Sequence, residues 1–123
     1  MESVDTYSQV LGALYGISLG DAYGMPIEMF TREDIQKKLG EVNCLLPGQE
    51  CSEISRGFLA GETTDDTAFS MILCEVIIEN HGKVDSMCMV KKIKEWANNN
   101  TKSQNVLGPS TKRAFQKIED GEK

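Results

Sequence analysis

An all-α fold follows from three features of this sequence. Apolar residues recur at helical spacing, capping residues punctuate them at helix-like intervals, and no stretch alternates apolar and polar side chains as a half-buried strand would. At 123 residues the chain is long enough for one domain with a modest core and too short for two of ordinary size.

The first helix is expected from about Asp5 to Tyr23, with Val10, Leu14 and Ile17 on one side. Gly12, Gly16, Gly20 and Gly24 recur along it at every fourth position. Each costs a helix roughly 0.8–1 kcal/mol against alanine. A spacing of four gathers them into a slowly drifting stripe where another backbone can approach closely. The second helix starts at Thr31, where Thr-Arg-Glu-Asp has the shape of a capping box, and stops at Gly40. A loop containing Pro47, Gly48, Gly57 and Gly61 then spans roughly 41–63.

The third helix begins around Thr64 and ends at Asn80-His81-Gly82. From Ala68 to Ile78 it is apolar nearly all the way round, the pattern of a helix enclosed on every side. Four other helices can barely enclose it, so the sequence reads as the interior of something larger. The fourth helix follows Asp85 or Ser86 and runs to about Asn98, with Lys91, Lys92, Lys94 and Glu95 as a solvated face. Residues 98–104 read as a polar loop. The fifth opens with Gly108-Pro109, proline being tolerated in a first turn, and ends near Asp120-Gly121.

Composition excludes several classes of function. A net charge of -6 argues against a nucleic-acid or anionic-membrane surface. A phosphate-bearing substrate stays open, because bound divalent cations reverse a local field. The amino terminus has neither the basic nor the apolar region of a secretory signal, and no apolar run approaches the roughly 18 residues of a membrane span. Cys44, Cys51, Cys74 and Cys88 form no zinc spacing, and a cytoplasmic, reduced chain is expected. The single histidine, His81, reads as a residue closing a helix, which leaves no material for a histidine-rich zinc site.

The chemical signal is Thr64-Asp65-Asp66-Thr67 at the head of the most apolar helix. A helix cap accounts for one or two of these residues, since hydroxyl and carboxylate oxygens accept from free N–H groups there. Two adjacent carboxylates nevertheless repel one another unless a cation or proton lies between them. Oxygen donors without nitrogen or sulfur suit Mg²⁺, Mn²⁺ or Ca²⁺. On spacing alone both the cap and the metal site stand.

Gly16-Ile-Ser-Leu-Gly20-Asp21-Ala22-Tyr23-Gly24-Met25-Pro26-Ile27-Glu28, followed by Thr64-Asp65-Asp66-Thr67, resembles the paired amino-terminal signature of the ADP-ribosylglycohydrolases. Gly108-Pro109-Ser110-Thr111, with Ala114-Phe115 behind it, is similar to the family's next block. The resemblance covers nearly the whole chain. It implies a helical bundle with two Mg²⁺ or Mn²⁺ ions at its centre, cutting an N- or O-glycosidic bond at ADP-ribose in a protein side chain or small-molecule derivative. It implies Thr64, Asp65 and Asp66 as metal ligands, and Glu28 as a further acidic group at the metal centre. Glu28, Asp65 and Asp66 are then the catalytic set, with Gly108 and Ser110 near the substrate phosphates. Asp21 reads as support for the site rather than a ligand.

Members of that family run to about twice this length or more, with an Asp-x-Asp-Thr motif and a Gly-Asn-Gly segment in their carboxy-terminal half. This chain contains neither. The resemblance therefore implies residues 1–123 as the amino-terminal part of one domain: a fragment, a split half completed by another chain, or a truncated gene product. The alternatives are an inactive relative that binds ADP-ribose or a partner without turnover, and a helical module whose Thr-Asp-Asp-Thr is only a cap.

Overall fold

Side-chain caps open the first four α-helices in the computed structural model, which describes residues 5–121. Asp5 accepts from the Ser8 N–H at 2.7 Å and opens α1 (Thr6–Gly24). The chain passes without a break into a 3₁₀ turn, Met25–Ile27, whose Met25 and Pro26 are buried. Thr31 opens α2 (Arg32–Lys38), accepting from the Asp34 N–H at 3.1 Å and donating to its carboxylate at 2.7 Å. Asp85 caps α4 (Ser86–Asn99) through the Cys88 N–H at 2.8 Å. Between them, α3 (Asp65–Glu79) ends where His81 and Gly82 take positive φ and the Gly82 N–H reaches back to the Ile77 carbonyl at 2.8 Å. Among the described residues there is no strand.

Two short elements fall outside the helices read from the sequence. The 3₁₀ turn is one, and α5 (Ser103–Val106) is the other, ahead of α6 (Pro109–Glu119). A four-residue helix has no room for an apolar repeat, so periodicity misses it. Its anchor is Ser103, fully buried, whose hydroxyl donates to the Ala97 carbonyl at 2.6 Å.

The 41–63 segment has no regular secondary structure, but its backbone is organised. The Ser52 hydroxyl accepts from the N–H groups of Ile54 and Ser55, and the buried Ser55 hydroxyl accepts from Gln49. Gly48 donates to the Phe58 carbonyl at 2.9 Å, and a Cβ there would stand 1.6 Å from the Ser55 carbonyl oxygen. Backbone cannot swing aside as a side chain can. Gly48→Ala is expected to cost about 1–3 kcal/mol, as overpacking does, measured by urea denaturation. An unchanged midpoint would show that the loop relaxes freely.

The core consists of two clusters joined by Trp96. Met25, Phe58 and Val106 form one, with Ile54 against it, and Ile72, Val76 and Ile93 form the other, with Phe69, Met89 and Phe115 around it. Trp96 packs against both and meets Phe69 edge-on at 5.7 Å. Helix α3 lies between α1 and α4. Lys92, expected in a solvated face, instead reaches from α4 to Glu79 at 2.8 Å and Glu75 at 3.1 Å on α3. Lys94 likewise ties α4 to Glu119 of α6 at 3.1 Å.

Two features of the helices stand uncovered within the described residues. Helix α3 is not enclosed on every side: Ile72 and Val76 are buried, but Met71 is 45% and Ile78 76% exposed. Nor does any backbone lie against the glycine stripe, since Cβ atoms built at Gly12, Gly16, Gly20 and Gly24 meet nothing within 4 Å. The reason is common to both. Helices α2, α4 and α6 are peripheral, and no other element reaches the far side of α1. All four cysteines are free thiols. No helix among the described residues is long and apolar enough to cross a membrane.

Candidate functional site

Asp21, in the last full turn of α1, clasps the head of α3. Its Oδ2 accepts from the Thr64 N–H at 2.8 Å, the Thr67 N–H at 3.1 Å and the Thr67 hydroxyl at 2.5 Å. Its Oδ1 accepts from the Thr64 hydroxyl at 2.8 Å. The two backbone donors sit at the cap and third positions of α3, so this carboxylate from another helix satisfies groups a helix leaves open. Thr64 itself accepts from the Asp66 N–H only at 3.4 Å. The cap is thus supplied mainly from outside the Thr-Asp-Asp-Thr motif. Asp66 is not needed for it, while Asp65 accepts from its own backbone N–H.

That division of labour frees three oxygen-bearing groups. Thr64 is buried, with its proton committed to Asp21 and a lone pair to spare. Asp66 and Glu28 line, with Gly16, Gly20 and Thr64, a cleft of about 510 Å³ between α1 and α3. Glu28 follows the 3₁₀ turn directly, and Met29 after it is strained in the left-handed region at φ 65°.

Electrostatics draw Asp65 into the same group, although it does not line the cleft. Protein crowding around the Glu28 carboxylate, followed by the charges of Asp65, Asp66 and Asp21, raises that carboxyl above its usual range even though the residue as a whole stays exposed. Burial raises Asp65, its own backbone N–H opposes the rise, and the charges of Asp66 and Asp21 add to it. These carboxylates are held near each other at an electrostatic cost, which a cation would offset.

The donor set fits a hard divalent cation in kind and charge. It falls short in number: among the described residues, no three carboxylate, imidazole or thiolate groups converge on one point. A hard cation wants about six oxygens, and this chain offers part of a shell.

Gly108 and Ser110 do not line the cleft. Gly108 precedes α6, and Ser110 is exposed, accepting from Arg113 at 3.4 Å. Gly16 and Gly20 of the glycine stripe form a cleft wall. One feature had no sequence signal: a second hollow of about 590 Å³ lined by Thr63, Phe58 and Trp96. At its edge Lys102 pairs with Glu62, 40 positions away, and lies 4.7 Å from the Phe58 ring centre. Such a pairing leaves no mark on local spacing.

Comparison with known proteins adds an independent finding. The family model for ADP-ribosylglycohydrolase matches residues 2–123. An uncharacterized protein of Escherichia coli (strain K12), YegU, is 38% identical over 114 residues, which are 92% of this chain and 34% of that protein. An uncharacterized protein of Archaeoglobus fulgidus is 33% identical over 108 residues, 88% of this chain and 33% of that protein. ADP-ribosylarginine hydrolase Tri1 of Serratia proteamaculans is 29% identical over 119 residues, 94% of this chain and 29% of that protein. The chain spans about a third of the length of the curated relatives it matches.

Proposed function

Since this chain belongs to the ADP-ribosylglycohydrolase family, we propose that it supplies one side of a metal-dependent site that hydrolyses the glycosidic bond between ADP-ribose and an acceptor. The observation that carries the proposal is the Asp21 clasp. It caps α3 from outside and leaves Thr64 and Asp66 facing the cleft beside Glu28, with Asp65 next to them.

In this reading Thr64, Asp65, Asp66 and Glu28 hold Mg²⁺ or Mn²⁺. Bound there, the ions would lower the pKa of a water and hold the ribose hydroxyls in one orientation. The chain's own residues fix position. Asp21 orients Thr64, the rigid head of α3 holds Asp65 and Asp66, and Glu28 orients the attacking water or the ribose from across the cleft. Departure of the leaving group gives the ribose carbon oxocarbenium character, which nearby carboxylates favour. Gly108 and Ser110 are proposed phosphate contacts in the complete protein. An ADP-ribosylated side chain, such as the arginine for which Tri1 is named, is the proposed substrate class.

A second reading, ADP-ribose binding without turnover, is favoured for this chain by itself because its donors are too few to cage an ion.

Asp65→Asn separates the metal reading from a mere cap by sign. With chelator present, the substitution is expected to raise the melting temperature, because it relieves repulsion from Asp66 and Asp21. In this chain joined to the remaining family segment, with millimolar Mn²⁺, it is expected to diminish the ion's stabilisation, which for a ligand at a hundredfold excess over Kd is about 2.7 kcal/mol. A cap predicts destabilisation in both conditions, since a carboxylate at a helix start is favourable. Equal losses with and without Mn²⁺, measured by thermal denaturation, would sink the proposal.

A further inference from the structure

The hollow lined by Thr63 and Trp96 carries polar groups that the fold leaves unused. Among the described residues, the hydroxyls of Thr63 and Thr101 and the side-chain amide of Asn99 have no hydrogen-bond partner. Asn99 and Thr101 are exposed, and Thr63 and Trp96 are half-buried. Glu62 and Lys102, the charged residues on the same wall, are paired with each other. The volume of about 590 Å³ is that of a small-ligand site.

A wall whose charges cancel selects neither a cation nor an anion. A half-buried indole together with an amide and two hydroxyls suits instead a planar, uncharged group that donates and accepts at once. The peptide group is such a partner. An apolar helix packed there would bury the same groups unpaired, at a cost in free energy. Location selects which peptide. Thr63 lines the hollow, and Thr64, the next residue, lines the cleft with Glu28 and Asp66. Consecutive Cα atoms lie about 3.8 Å apart, so a polypeptide whose modified side chain enters the cleft has its neighbouring residues within reach of the hollow. We infer that the hollow is a subsite for the acceptor polypeptide, receiving the peptide groups beside the ADP-ribosylated residue. The inference rests on the proposed function and narrows its substrate to a side chain still within a polypeptide.

Asn99→Ala removes an exposed amide at the end of α4 and leaves the core untouched. In this chain joined to the part of YegU that its match leaves out, kcat/KM is measured on an ADP-ribosylated arginine peptide and on free ADP-ribosyl-arginine. The ratio of the first to the second is expected to fall about tenfold in the variant, since only the peptide reaches the hollow. An unchanged ratio overturns the inference. Release from neither substrate by a folded joined protein counts against the proposed function instead, and the subsite is then read in this chain by itself. Trp96 is its one tryptophan, so its fluorescence reports on the hollow. A blocked, unmodified peptide of the same sequence is expected to change that emission saturably, and Asn99→Ala to raise its Kd roughly fivefold or more. No saturable change, a Kd that the substitution leaves alone, or an equal response to adenosine overturns the inference.

Discussion

Asp21→Ala is expected to lower the stability of this chain by about 3–5 kcal/mol and to unravel the head of α3. Four hydrogen bonds end on that carboxylate, two from backbone N–H groups and two from threonine hydroxyls. Bonds to a charged acceptor contribute roughly 1.5–3 kcal/mol each. The four share one acceptor group and cannot be summed, which sets the expected loss well below their total. Removing the acceptor also leaves the Thr64 and Thr67 donors unpaired in a partly buried place. Asp21→Asn keeps the shape but turns an NH₂ group toward N–H donors, so an intermediate loss is expected. Urea denaturation followed by far-ultraviolet circular dichroism measures both. An alanine variant as stable as the parent would show that α3 caps itself through Thr64, and would remove the argument that Asp65 and Asp66 are free for other work.

How much of this was legible in the sequence depends on how local the cause is. Helix boundaries were legible because they are set by residues within four positions: Asp5, Thr31 and Asp85 as caps, Gly82 as a stop, Pro109 as a first-turn residue. The head of α3 announced itself as four consecutive oxygen-bearing side chains. Glu28 did not, because the 3₁₀ turn presenting it has no period to read, and only the family resemblance singled it out. Burial was the least legible property. The apolar girth of α3 suits an interior helix, but whether it is covered depends on what packs around it, and Met71 and Ile78 remain exposed here. The glycine stripe has the same status. Its spacing shows that something can approach, while the structure shows the stripe open.

The second large effect concerns the reaction itself. In the proposed site Thr64, Asp65, Asp66 and Glu28 would give an ion contacts from one side only, so water would complete its shell and the ribose and attacking water would lose fixed positions. Such positioning can contribute roughly 7–11 kcal/mol in well-oriented reactions. This chain alone is therefore expected to release no measurable ADP-ribose. Joined to the remaining family segment, it is expected to release ADP-ribose from ADP-ribosylated arginine or serine in the presence of Mg²⁺ or Mn²⁺. Within that joined protein, Asp65→Ala and Asp66→Ala are each expected to lower the rate about 10³-fold, equivalent to about 4 kcal/mol in the barrier. Glu28→Gln should lower it less, since an amide can still orient water.

The release assay on the joined protein, with and without Asp66→Ala, is the most direct test of the claim that this chain carries one side of a metal-dependent glycohydrolase site. The account predicts cation-dependent release of ADP-ribose that the substitution abolishes while the protein stays folded. Release that survives both Asp66→Ala and chelation, or none at all from a well-folded joined protein, would contradict it.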